Sequence, residues 1–256
     1  MKILVGIVKL LAYLCINIVI VPIHMLMYFI HKGAWLHFLP KIYHKLSCAV
    51  FQITISTKGQ PIRDRQVLFI SNHISYLDIP ALSTVLPRIH FVAKRDVQDW
   101  PVWGFLAKLQ QTVFISRNRH DAHKESAGLE SVIASGKNLT IFAEGTSTDG
   151  GSVEPFKSSL FSVVQGPHAK ELTIQPITIR ITGLDGKPHT GADRRNLYAW
   201  PRELDMDLMP HLWRFAKSKG VELQVVFHDP IRADAFSDRK TLAKACYDAV
   251  CNGLKS

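Results

Sequence analysis

Between Leu10 and Ile30 lie 21 residues, LLAYLCINIVIVPIHMLMYFI, without one Asp, Glu, Lys or Arg. A run of that length and polarity is either buried in protein or placed in lipid. As a helix rising about 1.5 Å per residue it covers about 31 Å, enough to cross a bilayer core. Pro22 and His24 near its middle are awkward in a simple span, because Pro removes a backbone hydrogen bond and His is costly in hydrocarbon. The next segment, WLHFLPKIYHKL, is aromatic, basic and interrupted by Pro40, which suits a chain at the headgroup level. No small-residue cleavage site separates the two, which argues against a removable signal peptide. Residues 1–50 are therefore expected to be a membrane-associating helical segment, single-pass or monotopic, followed by one domain over 51–256.

Charge supports a lipid surface. Residues 1–60 hold six lysines (Lys2, Lys9, Lys32, Lys41, Lys45, Lys58) and no acid, supplying +6 of a net +10. The rest of the chain, with 25 basic and 21 acidic residues, resembles an ordinary soluble surface. Lysines flanking an apolar run fit anionic lipid better than nucleic acid, whose binders mix basic with polar residues on a groove-facing element. Lysines after the run slightly outnumber those before it, placing the main domain on the cytoplasmic face. The four cysteines (Cys15, Cys48, Cys246, Cys251) show no paired spacing and read as buried thiols.

From about residue 52 short apolar runs alternate with helical patterns. Residues 66–71, 89–93, 112–116, 138–143, 173–181 and 221–228 read as strands, rich in Val, Ile, Phe and Thr. Helices are expected at 78–86, 100–110, 121–135, 157–165, 206–218 and 238–252, with Asp121 capping the third and Gly136 ending it. Gly183–Pro201 reads as a long surface loop. The alternation predicts an α/β fold, a mostly parallel central sheet flanked by helices, behind an N-terminal apolar helical anchor. In such sheets functional residues collect where strands end.

Four segments at such ends carry chemistry. The first strand runs into Asn72-His73-Ile74-Ser75-Tyr76-Leu77-Asp78, a spacing that can bring a carboxylate and an imidazole within hydrogen-bond reach across a strand-to-helix turn. A carboxylate that fixes the tautomer leaves the other ring nitrogen free to accept a hydroxyl proton. His73 is the one histidine of twelve with Asp five positions on. Phe142-Ala143-Glu144-Gly145-Thr146-Ser147 offers a glycine turn whose amides and Thr146 hydroxyl can face an anion. Phe114-Ile115-Ser116-Arg117-Asn118-Arg119 delivers arginines suited to phosphate. Pro176, inside an apolar run, predicts an edge, a strand start or a bulge. His120 and His123 have i,i+3 spacing beside charged residues and are read as no metal site.

In this order and spacing the four segments resemble the glycerolipid acyltransferase family, typified by 1-acylglycerol-3-phosphate (lysophosphatidate) acyltransferases, over about residues 55–230. Asn-His-x4-Asp is met by Asn72, His73 and Asp78, and Phe-Ile-x-Arg by Phe114, Ile115 and Arg117. Phe-Pro-Glu-Gly-Thr-Arg-Ser is met in part: Ala143 replaces the proline and Ser147 the arginine. Lys94 resembles the family's lysine after the second strand, and Pro155-Phe156-Lys157 its Phe-Lys segment. The resemblance implies His73 as general base with Asp78 orienting it, and Asn72, Lys94, Arg117, Glu144, Gly145 and Thr146 as substrate-binding. It implies transfer from an acyl-acyl carrier protein or acyl-coenzyme A thioester to a lysolipid hydroxyl, with no bound cofactor, no metal and no nucleic-acid partner. Lysophosphatidate, giving phosphatidic acid, is the leading acceptor. Lyso-ornithine lipid is the alternative, since Ser147 supplies no charge and Glu-Gly-Thr-Ser-Thr-Asp-Gly resembles those relatives. A non-catalytic module binding anionic lipid would not need the His73–Asp78 pair.

Overall fold

The computed structural model describes residues 1–30, 35–115, 129, 131–165, 172–188 and 195–255. Helices α1 (Lys2–Ile30) and α2 (Trp35–Phe51) precede β1 (Ile53–Lys58), β2 (Val67–Ser71), α3 (Asp78–Val85), β3 (Ile89–Lys94), α4 (Trp103–Leu109), β4 (Val113–Ile115) and β5 (Asn138–Phe142). Then come β6 (Thr173–Leu184), β7 (Lys187–Pro188), α5 (Leu208–Ala216), β8 (Val221–Phe227), β9 (Ile231–Arg232) and α6 (Arg239–Lys255). One sheet runs β1-β8-β6-β2-β5-β3-β4, and β7 and β9 pair with β6. The pairs around β2, β3, β4 and β5 are parallel, as is β1 with β8, whereas β6 is antiparallel to β7, β8 and β9.

β2 is the centre because its sequence is apolar on both faces. Val67 and Phe69 join a core cluster with Cys48, Phe51, Leu82 and Phe215, so one face packs under α2, α3 and α5. Leu68 and Ile70 join the other cluster, with Leu139, Ile141, Leu242 and Cys246 under α6. A strand whose alternate residues feed two cores must be covered on both sides. Ser71 lies beside Ile177 of β6 and Phe142 of β5, so β2 and β5 end on one rim.

Three expectations are corrected. Pro176 lies on no edge: it stands inside β6, opposite Ile70 of β2. It is tolerated because the antiparallel partner changes there, β9 pairing through Ile174 and β8 starting at Ile177, and only its carbonyl is used, by the His228 N–H at 3.1 Å. The proposed loop from Gly183 is instead strand to Leu184 followed by a turn into β7, and Tyr198 and Ala199 near its end are fully buried. Residues 158–165, expected as an α-helix, wind as a 3₁₀ helix. Gly136 takes the left-handed φ of +72° expected of a helix-ending glycine. Asp121 and most of the 121–135 helix lie outside the described residues.

The apolar N-terminus docks along the domain. On α1, Gly6 meets Trp213 of α5, the Lys9 ammonium donates to the Ser218 carbonyl at 2.8 Å, Tyr13 and Asn17 bond Tyr43 of α2, and the His24 ring bonds the Leu109 carbonyl at 3.1 Å. These spacings of three, four and seven residues trace one helical face. The opposite face exposes Leu4, Ile7, Val8, Leu11, Leu14, Ile18 and Leu26. From Gly6 to His24 one face of α1 is thus held against α2, α4 and α5, while the rest of the helix stays exposed. α2 runs to Phe51, and its Cys48 and Phe51 sit in the main core.

Candidate active site

The His73–Asp78 pair is assembled by backbone. β2 ends at Ser71, a turn closed by Asp78 N–H to the Ser75 carbonyl at 2.9 Å follows, and α3 starts at Asp78. Within that turn the Asp78 Oδ2 accepts from the His73 Nδ1–H at 2.8 Å, the Ile74 N–H at 2.7 Å and the Ser75 N–H at 2.9 Å. Its Oδ1 accepts the Tyr198 hydroxyl at 2.8 Å. Asp78 is fully buried, and four donors offset the cost of placing its charge there. The His73 side chain keeps 20% of its surface, and its ring stacks on Phe142 with centroids 4.0 Å apart. With Nδ1–H given to Asp78, Nε2 is the lone-pair nitrogen on the exposed side, the arrangement of a general base.

The second segment supports this turn from β5. Glu144 is buried, and its two carboxyl oxygens accept the His73 N–H and the Glu154 N–H, each at 2.6 Å. Thr148 N–H returns to the His73 carbonyl at 2.9 Å. Gly145 has a left-handed φ of +64°, which favours glycine, and the Lys157 side chain lies close over the turn, 3.0 Å from where a Cβ would stand. Burial pushes the Glu144 carboxyl up to about 8 from its ordinary 4.5, outweighing the two N–H donors that pull it down. A carboxyl raised in the folded state holds a proton the unfolded chain has lost. Its contribution to stability is therefore full below the unfolded value and lost as pH rises through the folded one. Thermal midpoints should fall between about pH 4.5 and about pH 8, and Glu144→Gln should flatten that slope. An equal slope in the variant would remove Glu144 as its cause.

Not all expected residues face a ligand. Asn72 is fully buried, with its amide spent on Ile179 of β6, accepting its N–H at 2.7 Å and donating to its carbonyl at 2.9 Å. Asn72 thus ties the start of the His73 turn to β6, and Glu144 holds the same turn from the end of β5. Lys94 is half-buried at the end of β3, on the same rim as the end of β5. The Thr146 hydroxyl is buried and has no hydrogen-bond partner among the described residues. Ser147 donates to the Trp200 carbonyl at 2.6 Å. Arg117, His120 and His123 lie outside the described residues. The sequence reading missed Tyr198: a tyrosine 120 positions from Asp78 carries no local signal of that bond.

Comparison with known proteins agrees with this geometry. The family model described as Acyltransferase matches residues 52–180. The lyso-ornithine lipid O-acyltransferase of Brucella abortus is 36% identical over 231 residues, covering 88% of this chain and 85% of the relative. The 1-acyl-sn-glycerol-3-phosphate acyltransferase of Neisseria gonorrhoeae is 32% identical, covering 71% of this chain and 67% of the relative. The crystal structure of the 1-acyl-sn-glycerophosphate (LPA) acyltransferase of Thermotoga maritima superposes with a TM-score of 0.73 at 18% identity, over 100% of this chain and 97% of that one. An apolar first helix, a sheet that presents histidine and aspartate at the end of its central strand, and these matches place the chain in the Acyltransferase family.

Proposed function

We propose that the acyl acceptor is a lyso-ornithine lipid, acylated on its free hydroxyl from an acyl carrier protein or coenzyme A thioester. The observation that carries the acceptor is Ser147. It stands where a phosphate-pairing arginine is expected, brings no charge, and gives its hydroxyl to the Trp200 carbonyl. Four relatives named lyso-ornithine lipid O-acyltransferase, 30–36% identical over 79–90% of this chain, support it. Lysophosphatidate is the second reading, favoured by the Neisseria relatives and by Arg117 within Phe-Ile-x-Arg.

In either case His73 Nε2 takes the proton of the acceptor hydroxyl while that oxygen attacks the thioester carbonyl. The imidazolium so formed is stabilised by Asp78. Lys94 and the Thr146 hydroxyl are the proposed donors toward the tetrahedral oxyanion, which then collapses and expels the thiolate. His73 returns its proton to that thiolate. A thioester is already activated, so direct transfer needs no serine nucleophile.

The docking of α1 supports a monotopic attachment, with the helix lying in the plane of the membrane. Its polar residues are spent on the domain and its exposed stripe is apolar. Mass spectrometry tests the acceptor. Purified protein given lyso-ornithine lipid and an acyl thioester should yield the diacylated ornithine lipid, and absence of that product would refute the reading.

A further inference from the structure

The Asp149–Arg195 pair lies beside the His73 turn and takes no part in the chemistry above. Arg195 donates through Nε and Nη2 to one oxygen of Asp149, at 3.1 and 2.7 Å, while the other oxygen accepts the Gly151 N–H at 2.8 Å. Among the described residues nothing bonds Nη1 of Arg195. The Asp149 side chain keeps 37% of its surface and Arg195 20%, so both are partly open to solvent. Such a half-exposed pair contributes little to stability on its own.

Its position is fixed from both partners of the dyad. Thr148, next to Asp149, bonds the His73 carbonyl through its N–H at 2.9 Å and its hydroxyl at 3.3 Å. The Arg195 carbonyl accepts the N–H groups of Tyr198 and Ala199 at 3.0 and 2.8 Å, and the Tyr198 hydroxyl reaches Asp78. The loop is small where it must be. Gly150 at φ +76° rests on Ile74, and a Cβ at Gly151 would lie 2.5 Å from the Arg195 guanidinium. The guanidinium thus crosses directly over the loop that leads back to His73.

We propose that Asp149 and Arg195 form the headgroup subsite of this enzyme, Asp149 taking the side-chain ammonium of a zwitterionic amino-acid headgroup and Arg195 its carboxylate. The inference rests on the lyso-ornithine reading and deepens it. An ornithine joined through its α-nitrogen to a hydroxyacyl chain keeps one carboxylate and one δ-ammonium, and the pair presents one complement to each. A phosphate monoester would meet the Asp149 carboxylate with like charge instead. Selection then comes from attraction of the zwitterion together with repulsion of the phosphate.

Steady-state kinetics in detergent micelles test it, with lyso-ornithine lipid, its Nδ-acetyl derivative and lysophosphatidate as acceptors. In the unmodified enzyme, Nδ-acetylation should raise acceptor KM about tenfold or more, the usual worth of a charge-assisted bond. Asp149→Asn should raise the lyso-ornithine KM by a similar factor with kcat little changed. In that variant acetylation should cost nothing further, and the lysophosphatidate KM should not rise. The exchanged variant Asp149→Arg/Arg195→Asp keeps an ion pair across the loop, and its lyso-ornithine KM should stay high. A merely structural pair gives the contrary result: Asp149→Asn weakens both acceptors alike and the exchanged variant restores both. If the unmodified enzyme acylates lyso-ornithine lipid but Asp149→Asn leaves its KM unchanged, this inference alone falls. If it does not acylate that lipid at all, the acceptor reading falls and takes this inference with it.

Discussion

His73→Ala is expected to lower the rate of acyl transfer by a factor of about 10²–10⁴ while the protein stays folded. The loss is kinetic because the ring is part of no core cluster: it keeps a fifth of its surface and contacts the protein through Asp78 and the face of Phe142. The turn survives it, since the backbone bonds of residue 73 to Glu144 and Thr148 do not involve the imidazole. Asp78→Asn should lose activity over a similar range and also stability. Its Oδ2 serves three donors and its Oδ1 a fourth, and an amide offers only one oxygen, leaving buried N–H or O–H groups unpaired at about 1–3 kcal/mol each. Turnover by purified His73→Ala close to that of the unmodified enzyme would remove the general base from the account. A thermal melt in parallel separates the two variants.

Deleting residues 1–50 is expected to abolish cooperative folding rather than release a soluble catalytic domain. The segment supplies Cys48, His44 and Ser47 to the interior, and Leu10, Tyr13 and Val50 pack on the main core. Each large apolar side chain that loses its cover costs about 1.5–3 kcal/mol, and Phe51, Leu82, Leu212 and Phe215 would lose theirs together. That is comparable to the whole stability of a domain, about 5–15 kcal/mol. Near-UV circular dichroism and a melting curve of the truncated chain decide it. A sharp transition at the full-length midpoint would show that the N-terminal helices are an appendage after all.

These outcomes mark where the sequence was informative. The His73–Asp78 contact was legible because the two residues lie five apart across one strand-to-helix turn and the other three segments accompany them in the expected order. The continuous apolar run Val67-Leu68-Phe69-Ile70 was likewise legible as a strand of a sheet flanked by helices. The docking of α1 was not legible: Lys9, Tyr13, Asn17 and His24 look like isolated polar residues in a greasy run until Ser218, Tyr43 and Leu109 are brought to them. Tyr198 and Arg195 were hidden for the same reason, in a stretch whose polar, glycine-bearing composition reads as loop. Asn72 and Glu144 were found by motif, but their bonds to Ile179 and to the His73 N–H were not legible in it. A residue type tells what a side chain can bond, and only the fold tells which partner has already taken the bond.

The most direct test of the account is a competition for acyl groups. Lyso-ornithine lipid and lysophosphatidate are offered together to the purified full-length protein, with acyl-acyl carrier protein and acyl-coenzyme A as donors in separate reactions, and the ratio of kcat/KM for the two acceptors is read from the products. The account predicts a ratio of about tenfold or more in favour of lyso-ornithine lipid, with both products absent in His73→Ala. A ratio favouring lysophosphatidate would contradict the acceptor assignment, and transfer that persists without His73 would contradict the mechanism.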